Sequence, residues 1–212
     1  MDLDAAEVRV LGCLIEKQRT TPDIYPLSLN ALRAACNQST NRDPVVAYDD
    51  TTIRDALHRL GRRRWTRLAS GARAAKYRHL LDETPGLARD EQAVLAVLML
   101  RGPQTPGELR ARTERLYAFT DAESLQRVLD TLIGRELVAR LERRPGQKEE
   151  RYMHLLSDEA DSGPPQAAPP AAIATPIAPA PPPLDDDRLA RLEREIAELR
   201  AEVQALRSEL GG

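Results

Sequence analysis

The sequence predicts a mostly α chain with small β-hairpins, an α+β class. It reads as two copies of one three-helix unit, then a linker and a coiled-coil helix. Three observations carry this. "KYRHLLDE" at Lys76–Glu83 returns as "RYMHLLSDE" at Arg151–Glu159, so Tyr77, His79, Leu80 and Leu81 align with Tyr152, His154, Leu155 and Leu156. Self-similarity at a fixed spacing is the signature of a duplicated unit. The segment Asp161–Pro183 holds 9 of the 16 prolines. Beyond it, Leu189, Leu192, Ile196, Leu199, Val203, Leu206 and Leu210 alternate in steps of three and four, a heptad seam.

Each element follows from local pattern. Glu7–Gln18 places Val8, Leu11 and Ile15 on one stripe with Val10 and Leu14 beside it, a helix with a broad core face. Pro26 opens a second helix, Leu27–Cys36, with Leu29 and Leu32 inward. Asp49 and Asp50 cap a third, running to about Arg63 with Ile53, Ala56, Leu57 and Leu60 inward. Trp65–Ala69 and Lys76–Leu80 read as strands around Ser70-Gly71. The second copy predicts helices over Asp90–Leu100, Pro106–Thr113 and Asp121–Arg135. Its strands are Leu137–Glu142 and Glu150–Leu155. Three helices and a two-stranded wing make a winged helix, an elaboration of the helix-turn-helix.

The expected organisation is a winged-helix domain over 1–82, a second over 83–160, a Pro/Ala linker over 161–183 and a coiled-coil helix over 184–212. The linker has no periodic apolar pattern and is expected to be semi-extended. With Leu189 at a, β-branched Ile196 and Val203 sit over d-position leucines, which favours a parallel dimer. Arg188 with Glu193, Glu195 with Arg200 and Glu202 with Arg207 are complementary across it. A lone solvated helix, or one folded back on the domains, is the rival reading, since three heptads are short.

Charge is uneven. Met1 to Leu80 carries 14 Lys and Arg against 9 Asp and Glu, whereas Leu81 to Ala160 carries 12 against 15. Only the first domain is therefore a candidate for a polyanion partner. Cys13 and Cys36 sit among apolar residues without metal-ligand or redox spacing. His58, His79 and His154 have no nucleophile or metal partner nearby in sequence, and no phosphate loop appears. We expect no catalytic residue, cofactor or metal, and a non-enzymatic protein. No signal-peptide core or membrane-length apolar run is present, so a soluble cytoplasmic protein is expected.

"RVLGCLIEKQRTTPDIYPLSLNALRAACNQSTNRDPVV", Arg9 to Val46, closely resembles the start of the YceH-like family of bacterial proteins. The likeness rests on "LIEK" beside Gly12, on "TPDIYPLSLNAL" and on "ACNQSTNRDPV", and extends more loosely to about Leu156. The heptads also look like that family's tail. The resemblance implies a tandem winged-helix fold and brings no activity or catalytic residue with it.

Double-stranded DNA is the expected partner of the first domain. On its third helix Thr51, Asp55, His58 and Arg62 face away from the core, with Arg54 and Arg59 on the flanks. Arg63 and Arg64 extend the basic end, and Arg67, Arg73, Lys76 and Arg78 lie on the wing. Such helices present side chains to the major groove while wing cations meet phosphate. In "NQSTNRDP" architecture is expected first, with Asn41 and Arg42 the exceptions at a phosphate. The second domain turns Glu123, Arg127 and Asp130 outward, a face that repels phosphate, and is expected to meet a protein partner or its twin. The alternative is a protein-interaction adaptor throughout. Acidic side chains interrupting the face of Arg54, Arg59, Arg62, Arg73 and Lys76 are expected to put that alternative in the lead.

Overall fold

A computed structural model describes residues 3–69, 75–143 and 149–157. The linker and the heptad seam from Leu189 to Leu210 lie outside the described residues, as does Arg73. The described residues belong to one body, Met1–Gln166. They form six helices and two small antiparallel sheets.

α1 (Ala5–Thr20) starts at Asp4, whose carboxylate accepts the Glu7 amide at 2.8 Å while Glu7 accepts that of Asp4 at 3.0 Å. This reciprocal cap satisfies two amides left over at a helix start. A short 3₁₀ turn, Pro22–Ile24, leads to the strand β1 (Leu27–Ser28) and α2 (Leu29–Cys36). Leu27 is thus a strand residue, not the helical one expected. Ser28 explains the later start: its hydroxyl caps the Ala31 amide, so the helix begins only after it. α3 (Asp50–Arg62) is capped by Asp49 through the Thr52 amide at 2.8 Å. β2 (Thr66–Leu68) and β3 (Lys76–His79) pair antiparallel, and β1 joins on the far side of β3.

The second half repeats the order with α4 (Arg89–Arg101), α5 (Pro106–Thr113), α6 (Ala122–Gly134), β4 (Val138–Leu141) and β5 (Arg151–His154). Even details recur. Tyr77 pairs with Leu27 in the first sheet, and in the second Tyr152 exchanges backbone hydrogen bonds of 2.8 and 2.9 Å with Gln104. α3 and α6 stop alike: Arg64 and Glu136 are left-handed, with φ of 59° and 56°. The next amides, Trp65 and Leu137, reach back to the carbonyls of Leu60 and Leu132, both at 3.0 Å. Such an ending satisfies helix carbonyls that have no partner of their own.

α1 and α4 form the spine. Val10, Leu11, Cys13, Leu14 and Ile15 of α1 are buried, as is every residue of α4 from Glu91 to Leu100. A helix apolar on all sides belongs between layers, and these two lie against each other at Gly12. A Cβ there would meet Leu100 side-chain carbons at 3.0 Å and the Met99 Cβ at 3.2 Å. One apolar core therefore runs through both halves. The Leu3 amide donates to the Leu156 carbonyl at 2.8 Å and the Asp43 amide to that of Leu100, tying the halves further.

Candidate nucleic-acid interface

α3 is amphipathic in the strict sense. Ile53, Ala56, Leu57 and Leu60 are buried, and Thr51, Arg54, Asp55, His58 and Arg62 are exposed. At 100° per residue these exposed positions form one strip. Arg54 and Arg62 make no ion pair among the described residues, so both guanidinium groups remain solvated. Asp49 caps the near end; the Thr52 amide holds its carboxylate below the usual range. The negative charge at this cap lies at the helix start, where the dipole favours it.

The flank facing α1 is different. Arg59 pairs with Asp4 and, through Nε at 3.4 Å, with Glu7 Oε2. Arg63 approaches Glu7 Oε1 at 3.9 Å. Glu7 is 2 % exposed, so a nearly buried carboxylate draws both arginines inward. Carboxylates therefore interrupt the expected positive face at Arg59 and Arg63. Arg67 and Arg78 share Glu83 at the base of the hairpin, and Arg33 pairs with Asp50 at 2.9 Å. Lys76 is half-buried on β3. Sequence reasoning missed Asp4 and Glu7, which pair with α3 across a chain separation that no local spacing reports, and Glu83, which meets Arg78 across the turn that follows β3.

Arg42 is a correction. Its side chain has no exposed surface and cannot meet a phosphate. Nη1 and Nη2 grip both oxygens of Glu16 at 3.1 and 2.6 Å, and Nε donates to the Ala35 carbonyl at 3.1 Å. Burial opposes the charge, but the Glu16 bonds outweigh it and hold the guanidinium above its ordinary value. Arg9 does parallel work, donating to the carbonyls of Cys36 at 3.1 Å and Pro44 at 2.6 Å. Two buried cations thus cap the C-terminus of α2, the negative end of its dipole. Asn37 brackets Tyr48, donating to its carbonyl at 2.8 Å and accepting its amide at 2.9 Å. Asn37 and Arg42 are therefore architecture, whereas Asn41 is exposed and accepts from Arg101.

α6 has the same inward residues, Leu125, Val128, Leu129 and Leu132, under a different surface. Arg127 pairs with Glu123 at 3.0 Å and Gln126 with Asp130 at 2.9 Å. Its outward groups satisfy one another.

The histidines of the repeat are structural. His79 Nδ1 accepts the Leu81 amide and His154 Nδ1 that of Leu156, at 3.3 and 3.4 Å. With Nδ1 an acceptor, Nε2 of His79 carries the proton and donates to Gln18 Oε1 at 2.8 Å. Burial pushes both imidazoles down to about 4. Among the described residues no group of three or more His, Cys, Asp or Glu could hold a metal ion. No helix among them is long and apolar enough to cross a membrane.

Residues 3–147 match the family described as a protein of unknown function, DUF480. A UPF0502 protein of Pelobacter propionicus is 48% identical over 98% of this chain and 94% of its own length. One of Azotobacter vinelandii is 51% identical over 74% of this chain and 71% of its own. One of Solibacter usitatus is 45% identical over 97% and 96%.

Proposed function

The chain belongs to the DUF480 family of UPF0502 proteins, as the motifs of Arg9–Val46 anticipated, and we propose that it is a dimeric DNA-binding protein. Each half is read as a winged helix, α3 as the recognition helix of the first, and the heptads from Leu189 to Leu210 as the dimer seam. The reading is regulatory and non-enzymatic. The observation that carries it is the solvated strip Thr51, Arg54, His58 and Arg62, whose two arginines keep their charge for an outside partner. Arg can bridge guanine O6 and N7 or clasp a phosphate. The footprint is narrower than the sequence suggested, because Arg59, Arg63 and Arg42 are engaged within the protein.

That interruption is the outcome expected to put the second reading in the lead, an adaptor whose winged helices bind protein. DNA binding still leads, because Asp4 and Glu7 occupy the flank of α3 beside α1 and leave the outer strip solvated. Only Asp55 opposes on that strip. Fluorescence titration of a labelled duplex with the full chain at several salt concentrations separates the two. DNA binding predicts an affinity that falls linearly on a log–log salt plot, by about 0.9 per phosphate contact. No binding at low salt would give the adaptor the lead.

The dimer is tested by sedimentation of the full chain beside a chain ending at Ala160. The expected result is a dimer for the first and a monomer for the second. Two monomers would remove the seam as the dimerising element.

A further inference from the structure

At the seam between the halves lies a cleft of about 80 Å³. The C-terminal part of α1 supplies Glu16 and Thr20, the polar turn Asn41, α4 Arg101, and α5 with the residues after it Arg112 and Arg115. We propose that this cleft binds the phosphate group of a small phosphorylated molecule, held by Arg101, Arg112 and Arg115.

Three guanidinium groups converge on the cleft, and its one carboxylate is already committed. Glu16 gives both oxygens to Arg42, and Lys17 lies 3.5 Å from it. Arg112 has one partial counterion, Glu108 at 3.4 Å, and Arg115 has none among the described residues. Arg101 is aimed by a hydrogen bond to Asn41 Oδ1. Asn41 is left-handed, with φ of 60°, and this conformation of the polar turn faces its side chain toward α4. Burial and then the charge of Arg112 both push Arg101 below its ordinary value. Like charges gathered in a partly desolvated cleft are unfavourable until an anion enters. A phosphate monoester supplies two negative charges and the oxygens that guanidinium forks match.

The cleft is separate from the α3 surface. Glu7, which holds Arg59 and Arg63, precedes Thr20 by 13 residues of α1, about 20 Å along the helix. A ligand here joins α1 and the turn to α4 and α5, so it would act on how firmly the halves are held. That places an effector site where it can bear on the whole body.

The test is calorimetric titration of the full chain with inorganic phosphate and with glycerol phosphate, against sodium chloride at equal ionic strength. Saturable binding of both phosphates is expected, the ester at least as tight. Arg101→Gln and Arg115→Gln should each weaken it about tenfold or more, the size of one charge-assisted bond. Arg115 is exposed, so its variant folds whatever happens to Arg101. Equal heats from chloride, or variants that bind like wild type, would overturn the proposal. Binding of inorganic phosphate with rejection of the ester would overturn the small-molecule assignment. Loss of duplex DNA affinity in both variants would instead make the cleft part of a nucleic-acid surface.

Discussion

α2 leads to α3 through residues 37–49, and α5 leads to α6 through residues 114–121. The two connections serve the same step of the same plan with different chemistry. In the first half the turn folds onto buried cations: Arg9 and Arg42 hold the end of α2 while Asn37 holds Tyr48. In the second the corner is aromatic. Phe119 is buried and meets Tyr117 edge-on, with ring centroids 4.9 Å apart. The third helices show the converse. Their core residues match position for position, and their outer faces diverge into a solvated basic strip and a self-paired one. Packing therefore fixes the inward positions of both copies, while surfaces and corners are free to differ.

The largest expected effect is one the halves share. His79 and His154 are neutral when folded, at about 4, against an ordinary 6.5. Below 6.5 the unfolded chain takes up protons that the folded chain refuses, so stability is full above that pH and falls toward 4. By pH 4.5 each imidazole should have cost about 2.5 kcal/mol. Urea midpoints measured from pH 7 to 4.5 check this. His79→Asn and His154→Asn, which keep an acceptor near Nδ1, should each remove about half the slope; a slope unchanged by both would show that the imidazoles do not carry it, and unequal losses that the two copies are not equivalent here.

The next effect belongs to the first half alone. Arg42→Ala leaves Glu16 without its clasp and the Ala35 carbonyl without a donor. The expected loss is about 3 kcal/mol, and Arg42→Lys should recover little of it because a single ammonium cannot replace the fork. Denaturant unfolding of both variants is the measurement. A loss within roughly 0.5 kcal/mol, the range of surface substitutions, would mean that Arg42 is a surface residue after all.

Gly12→Val probes the seam between the halves. Its branches would run into Leu100 and Met99, and we expect a loss of about 2 kcal/mol from overpacking. Thermal unfolding should remain a single transition shifted downward. An unchanged midpoint would imply that α1 and α4 yield to one another.

Sequence made the helices legible where spacing alone decides them. Ile53, Ala56, Leu57 and Leu60 lie where the α3 pattern put them, and Pro106–Thr113 was bounded residue for residue. The repeated Tyr-x-His-Leu-Leu located both hairpins, because each His anchors the strand end two residues on. The outer strip of α3 was equally legible. What was hidden depends on long-range approach. Nothing local distinguishes Arg42 turned inward to Glu16 from Arg42 turned to solvent, since the turn is polar either way. Arg59 lies 55 residues from Asp4, and only the packing of α1 beside α3 unites them. Gly12 stood in the sequence only as part of a family-like motif, and the approach of Leu100 and Met99 to it is a product of packing.

The smallest effect on stability carries the most weight for function. Arg54→Ala/Arg62→Ala on α3 and Arg127→Ala/Arg140→Ala in the second half, where both arginines are exposed, exchange the same number of charges. At the exposed α3 positions unfolding should change by less than about 0.5 kcal/mol. Duplex titration across salt concentrations then compares the variants with wild type. The account predicts weaker binding and a log–log slope flatter by about 1.8 for the α3 pair, with almost no change for the other. Equal losses from both pairs, or an α3 pair that binds as wild type does, would contradict it.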